Sequence, residues 1–202
     1  YGASGIGKTA LAATLASAYT ELPGGVLWLE VNDTSFPDLL ARIGRAFNIR
    51  ELATTDNPLS MVAAIMSALL AAKPMIVLDG KLNAQACSEF IMRCTDRLPI
   101  LLLNDEDASG PWTSIPLGIL EADAATTLFR NLAPDNTDGI ESLITALDGI
   151  PFALTAAAGA IRAQKSSPTA FLANLPKRAD VSPSLLTLTA SFGTLTSALQ
   201  GM

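Results

Sequence analysis

Near its start the chain reads Gly2-Ala3-Ser4-Gly5-Ile6-Gly7-Lys8-Thr9 and runs directly into a stretch rich in alanine and leucine. The pattern is G-x-x-x-x-G-K-[ST], the P-loop, and it restricts the possible folds more than any other feature. Glycines at these places let the backbone take positive φ. Its N–H groups then turn inward around phosphates, at the positive end of the helix that follows. In that geometry Lys8 reaches the β- and γ-phosphates and the Thr9 hydroxyl ligates Mg²⁺, while the backbone from Gly5 through Ile6, Gly7 and on to Ala10 supplies the cradle. The alternative is a flexible glycine loop. Residues 11–19 have the composition of the required helix.

The rest of residues 1–117 alternates strand and helix. The run at 26–31 is mostly apolar and reads as a strand; those at 75–78 and 100–103 are short and continuous, the habit of strands buried on both faces, and 112–117 is expected as a last short strand. Between them, Leu39, Leu40, Ile43 and Phe47 recur at helical spacing, as do Met61, Val62, Ile65, Met66, Leu69 and Leu70. Residues 84–94 form a further helix. Strands separated by helices imply an α/β fold, a parallel sheet in a three-layer α/β/α arrangement. From residue 118 the pattern is helix only. Helices are expected at 121–131, 138–147, 151–163 and 169–175, punctuated by Pro134, Gly149–Pro151 and Ser166–Pro168, and the small all-α domain spans 118–180. Pro151 suits a first helical turn, where its missing N–H costs nothing. Residues 182–202 read as one more helix.

Composition removes whole classes of function. The chain of 202 residues has no histidine, so a Ser–His–Asp triad, an H-E-x-x-H zinc site and a histidine general base are excluded. A net charge of -6 and a pI of about 4.6 give no electrostatic footprint for nucleic acid or an anionic membrane. Half the residues are apolar, enough for a real core. Mean hydropathy is +0.38, yet the most apolar windows stop after about a dozen residues, short of the roughly 20 a spanning helix needs. Cys87 and Cys94 lie seven apart in a helical pattern, which separates their Cα atoms by about 10 Å, too far for a disulfide. Core thiols in a reducing, cytoplasmic setting are expected. No signal peptide is expected either, since the sequence opens on the glycine loop.

Met75-Ile76-Val77-Leu78-Asp79 is the expected companion of the loop, a buried strand that delivers a carboxylate at its C-terminal end. Such an Asp79 lies beside Thr9 and holds Mg²⁺, usually through water. The bland alternative is a capping aspartate ahead of Asn83 and the next helix.

Taken together, GASGIGKTALA, then GGVLWLEVNDTSFPDLLARIGRAFNI, then MIVLD resemble the NB-ARC (AP-ATPase) branch of the STAND signalling ATPases. Leu117-Gly118-Ile119-Leu120 through Ala124, Ala125, Leu128 and Phe129 is similar to that family's L-x-x-L…A-x-x-L-F helix. Gly149-Ile150-Pro151-Phe152-Ala153-Leu154 resembles its G-L-P-L-A-L signature. The resemblance covers the chain from Tyr1 to about residue 180, and 181–202 resemble the start of a winged-helix domain cut short. It implies an ATP/ADP-binding switch with Mg²⁺, one module of a larger signalling protein that works with other domains of its parent and oligomerises on activation. ADP would hold the inactive form. Gly5, Gly7, Lys8 and Thr9 would bind phosphates, Asp79 would serve the metal, and Pro151 would pack against base or sugar.

Two departures accompany it. The family commonly carries a second acid after Asp79; here that position is Gly80. The strand ending at Leu103 usually leads to a sensor arginine, but Asn104, Asp105, Glu106 and Asp107 follow here. Asn104 is a candidate polar sensor, because an amide can orient a water or touch the γ-phosphate. The acidic run is otherwise repulsive to phosphate, or simply a solvated loop. Hydrolysis is therefore expected to be slow or absent, with Lys8, Asp79 and Asn104 as its candidate catalytic groups. A non-cycling scaffold that keeps the fold is the alternative. A small-molecule kinase is disfavoured, since no arginine-rich insertion appears between Asp79 and Trp112. The strand that should precede the loop is reduced to Tyr1, and its loss is expected to expose its sheet neighbours.

Overall fold

The structure, a computed structural model, describes residues 1–19, 23–49, 57–95, 97–135 and 138–175. The expected helix over 182–202, and with it the winged-helix reading of 181–202, lies outside the described residues. The described residues form two compact units: those of Tyr1–Ala3 with those of Lys8–Leu117, and Ser4–Gly7 with those of 118–175.

In the first unit the order is α1 (Lys8–Ala18), β1 (Val26–Asn32), α2 (Phe36–Ala46), α3 (Pro58–Ala72), β2 (Met75–Lys81), α4 (Ala84–Cys94) and β3 (Ile100–Leu103). The strands form a parallel sheet in the order β1-β2-β3, with Glu30 opposite Asp79 and Asp79 opposite Leu103. Parallel pairing needs a crossover between consecutive strands, and the intervening helices supply it. Strand β2 alternates between two cores. Ile76 and Leu78 join Leu39, Leu40 and Ile43 of α2, Ile65 and Leu69 of α3, and Phe90 of α4. Met75 and Val77 face the other way, toward Ala12 of α1 with Trp28 and Leu101 packed beside them. Both faces of the sheet are thus covered, the three-layer α/β/α arrangement read from the apolar runs.

Local signals set the element starts. The Ser35 hydroxyl accepts the Asp38 N–H ahead of α2, and the Asn83 side chain accepts the Ala86 N–H ahead of α4, each satisfying a donor that has no partner within its helix. One expectation needs correction: residues 112–117 are not a strand. Pro111 precedes the segment and Pro116 lies within it, and a proline has no N–H to give a ladder. What survives is one parallel bridge, in which the Tyr1 amino group donates to Ile115 O (2.8 Å) and the Leu117 N–H donates to Tyr1 O (2.7 Å). On Tyr1's other side, the Gly2 N–H donates to Asn104 O just past β3 (3.2 Å). A cleft of about 600 Å³ runs beside β3, walled by Leu11 and Leu15 of α1, Leu101 and Leu103, Trp112 and Ile115.

The second unit holds α5 (Ala122–Leu132), α6 (Ile140–Ala146), α7 (Pro151–Gln164) and α8 (Pro168–Asn174). Its core combines Phe129, Leu143, Leu147, Leu154, Ile161 and Phe171 with a run of buried alanines on α7, Ala153, Ala157, Ala158 and Ala160. Those methyl side chains let neighbouring helices approach closely. Gly149 turns the chain into α7 with φ +60, and a Cβ there would lie 2.7 Å from Leu120 O, so the glycine is required on both counts. Among the described residues no helix is long and apolar enough to cross a membrane.

Candidate functional site

The glycine loop has the backbone its sequence demands. Gly5 and Gly7 have φ of +83 and +100, a region costly for any residue with a Cβ. Crowding is not the reason at Gly7, since the nearest atom to a Cβ built there would be Pro151 Cγ at 3.9 Å. Ile6 between them is buried and anchors the loop. Helix α1 begins at Lys8, so the N–H groups of Lys8, Thr9 and Ala10 fall in the first turn, where a helix offers no acceptor of its own. In the chain, positive-φ glycines lead directly into the first-turn donors and the positive dipole end of a helix, a succession that suits an anionic phosphate.

Around that loop three predicted residues are engaged: Thr9 with Asp79, and Lys8 with three other acceptors. The Thr9 hydroxyl donates to Asp79 Oδ2 at 3.0 Å, joining the start of α1 to the end of β2. Lys8 Nζ donates to Gly2 O (2.7 Å), Ala3 O (3.1 Å) and Asp105 Oδ1 (2.7 Å). An ammonium has three N–H donors, so these acceptors use all of them. Among the described residues no cluster of three or more His, Cys, Asp or Glu is placed to hold a metal ion. A cation at Thr9 and Asp79 would therefore take its other ligands from phosphate oxygens and water, the usual habit of Mg²⁺.

Asn104 is engaged elsewhere. Its Oδ1 accepts the Leu82 N–H (3.3 Å) and its Nδ2 donates to Glu106 O (2.8 Å), so both ends of the amide hold backbone. The neighbouring carboxylate, Asp105, is the one that meets Lys8. Sequence reasoning missed this pairing because it treated the acidic run as a unit, although only one member faces the lysine; Asp107 accepts from the Ser114 hydroxyl at 2.7 Å. Pro151 occupies the first turn of α7, and within that unit the adjacent Phe152 N–H donates to Gly5 O at 3.1 Å. Gly80 has φ +127, and a Cβ on it would stand 2.2 Å from Val31 O.

The fold has a solved counterpart. The chain is similar in structure to a signal transduction ATPase with numerous domains (STAND) protein with a tetratricopeptide repeat sensor from Pyrococcus horikoshii, with a TM-score of 0.57 and 19% identity. The match covers 77% of this chain and 26% of the other, so the chain spans about a quarter of that protein's length. The likeness supports the fold alone: an α/β arrangement with a parallel sheet flanked by helices. No family model and no curated protein sequence matches the chain.

Proposed function

We propose that this chain is an ATP/ADP-binding switch module of the NB-ARC type within a larger signalling protein, with slow or no hydrolysis of its own. The observation that carries the reading is the loop itself, two positive-φ glycines leading into a helix whose first residues are Lys8 and Thr9, with Thr9 already bonded to Asp79. Backbone N–H groups from Gly5 to Ala10 hold the phosphates. Lys8 neutralises them, and Thr9 with Asp79 serves Mg²⁺. Bound Mg²⁺ spreads the charge of the phosphate oxygens; this chain's residues bind and orient. The similarity to a signal transduction protein of numerous domains supports a signalling context with other domains in the parent; oligomerisation on activation is part of the proposed reading.

The test is to denature freshly purified protein and identify any released nucleotide by ion-exchange chromatography. ADP at one equivalent is expected. Lys8→Ala loses a charge-assisted contact to phosphate and should weaken nucleotide affinity about tenfold or more. A protein that ignores added ATP and ADP, or an unchanged Lys8→Ala variant, sinks the reading.

One observation favours the non-cycling alternative. The backbone at Gly80 leaves no room for the second acid, so a group to polarise attacking water is missing from that position. Absence of phosphate release from ATP by a longer, partner-bound form would favour a scaffold.

A further inference from the structure

We infer that Asp105 is a built-in counter-ion of Lys8 that makes the site discriminate against a nucleoside triphosphate in favour of the diphosphate. The inference rests on the nucleotide reading above and adds a specificity-determining residue to it.

The three acceptors on Lys8 Nζ are unequal. Gly2 and Ala3 offer carbonyls on a backbone pinned by the Gly2–Asn104 and Tyr1–Leu117 bonds, and the Ala3 contact is the longest of the three at 3.1 Å. Asp105 offers a full negative charge at 2.7 Å. Lys8 is mostly buried, with 12% of its side chain exposed, whereas Asp105 is 68% exposed. Its backbone is nonetheless held in place, because Asn104 fixes the segment through Leu82, Glu106 and Gly2. The carboxylate is therefore presented to Lys8 by a braced loop.

A first phosphate needs one N–H from Lys8, and the weakest bond, to Ala3 O, is the one that yields. The Lys8–Asp105 pair survives that exchange. A second phosphate contact to the same ammonium must replace Asp105 Oδ1, and it sets a further negative charge beside a carboxylate whose loop cannot retreat far. Like charges at such separations repel even where water screens them, as it does at the exposed carboxylate. The cost falls mainly on the triphosphate.

Titration calorimetry with ADP and with a non-hydrolysable ATP analogue tests this, using protein stripped of bound nucleotide, in Mg²⁺ and again in EDTA. Wild type is expected to bind the diphosphate more tightly. Asp105→Asn should tighten the triphosphate about tenfold and the diphosphate less than about threefold, in both media, since it is mainly the former that confronts the charge. Asp107→Asn removes an equal charge two residues away and should leave the ratio unchanged. Equal shifts for both nucleotides, no shift, an effect confined to Mg²⁺, or the same effect from Asp107→Asn overturns the inference. Wild type and Lys8→Ala that both ignore the two nucleotides overturn the nucleotide reading itself, and the inference falls with it.

Discussion

Gly80 and Val31 face each other across the β1–β2 ladder so closely that a Cβ on Gly80 would lie 2.2 Å from the Val31 carbonyl oxygen. The glycine also has φ +127, outside the range that L side chains adopt comfortably. Restoring an acid here is therefore structurally blocked. Gly80→Asp and Gly80→Ala should each cost about 2–4 kcal/mol of stability, the combined effect of strain and steric overlap. Chemical denaturation measures it. An Asp variant as stable as wild type, with new phosphate release from ATP, would show that the strand shifts to make room.

Thr9 and Asp79 meet at 3.0 Å, and this contact links helix α1 to the end of the central strand. If the pair serves Mg²⁺, it matters for the metal more than for the nucleotide. Asp79→Asn and Thr9→Ala should leave nucleotide affinity in EDTA within about threefold of wild type while reducing the gain from added Mg²⁺ about tenfold. Titrations at a series of Mg²⁺ concentrations distinguish the two. An undiminished Mg²⁺ gain in both variants would assign the metal to other groups.

The helical unit depends on small residues as much as on large ones. Phe129 is fully buried, and Phe129→Ala should cost about 3–5 kcal/mol through lost burial and the cavity left behind. Ala157 is equally buried on α7, and there the opposite change is harmful: Ala157→Leu should cost about 1–3 kcal/mol by overpacking. Denaturant midpoints for the two variants test this. A neutral Ala157→Leu would mean that α7 packs more loosely than its alanines indicate.

The parts of this molecule that were legible in the sequence share a physical cause. MIVL and ILLL were readable because a strand covered on both faces must be apolar at every position, and the glycine loop because positive φ restricts residue choice. Trp112–Leu117 misled because an apolar pattern does not report whether its N–H groups have a ladder to join, and Pro116 removes one of them. The Lys8–Asp105 pair could not be found by pattern at all. It depends on which of four consecutive polar side chains a braced loop turns toward α1, a tertiary outcome. Gly80 was seen as a departure, but its reason, the Val31 carbonyl, lies 49 residues earlier in the chain.

Cys87 and Cys94 complete the picture from the opposite face of the sheet, where both thiols are free and buried in the core under α4. Burial disfavours the thiolate and pushes each from its ordinary 9.0 to about 11, with the Arg93 charge partly opposing the shift at Cys94. The folded state therefore retains two protons that the unfolded chain gives up first. Their contribution to stability is intact below about pH 9 and is lost as pH rises from there through about 11. Unfolding free energies for wild type and for the double variant Cys87→Ala, Cys94→Ala isolate this from other groups that titrate in the same window. The difference between them should shift against wild type across that interval and stay flat below it. In the folded protein at neutral pH both thiols should also resist N-ethylmaleimide, reacting only once denaturant opens the core. A pH-independent difference together with rapid labelling of the folded chain would place these cysteines at the surface and contradict the packing of α4 on the sheet.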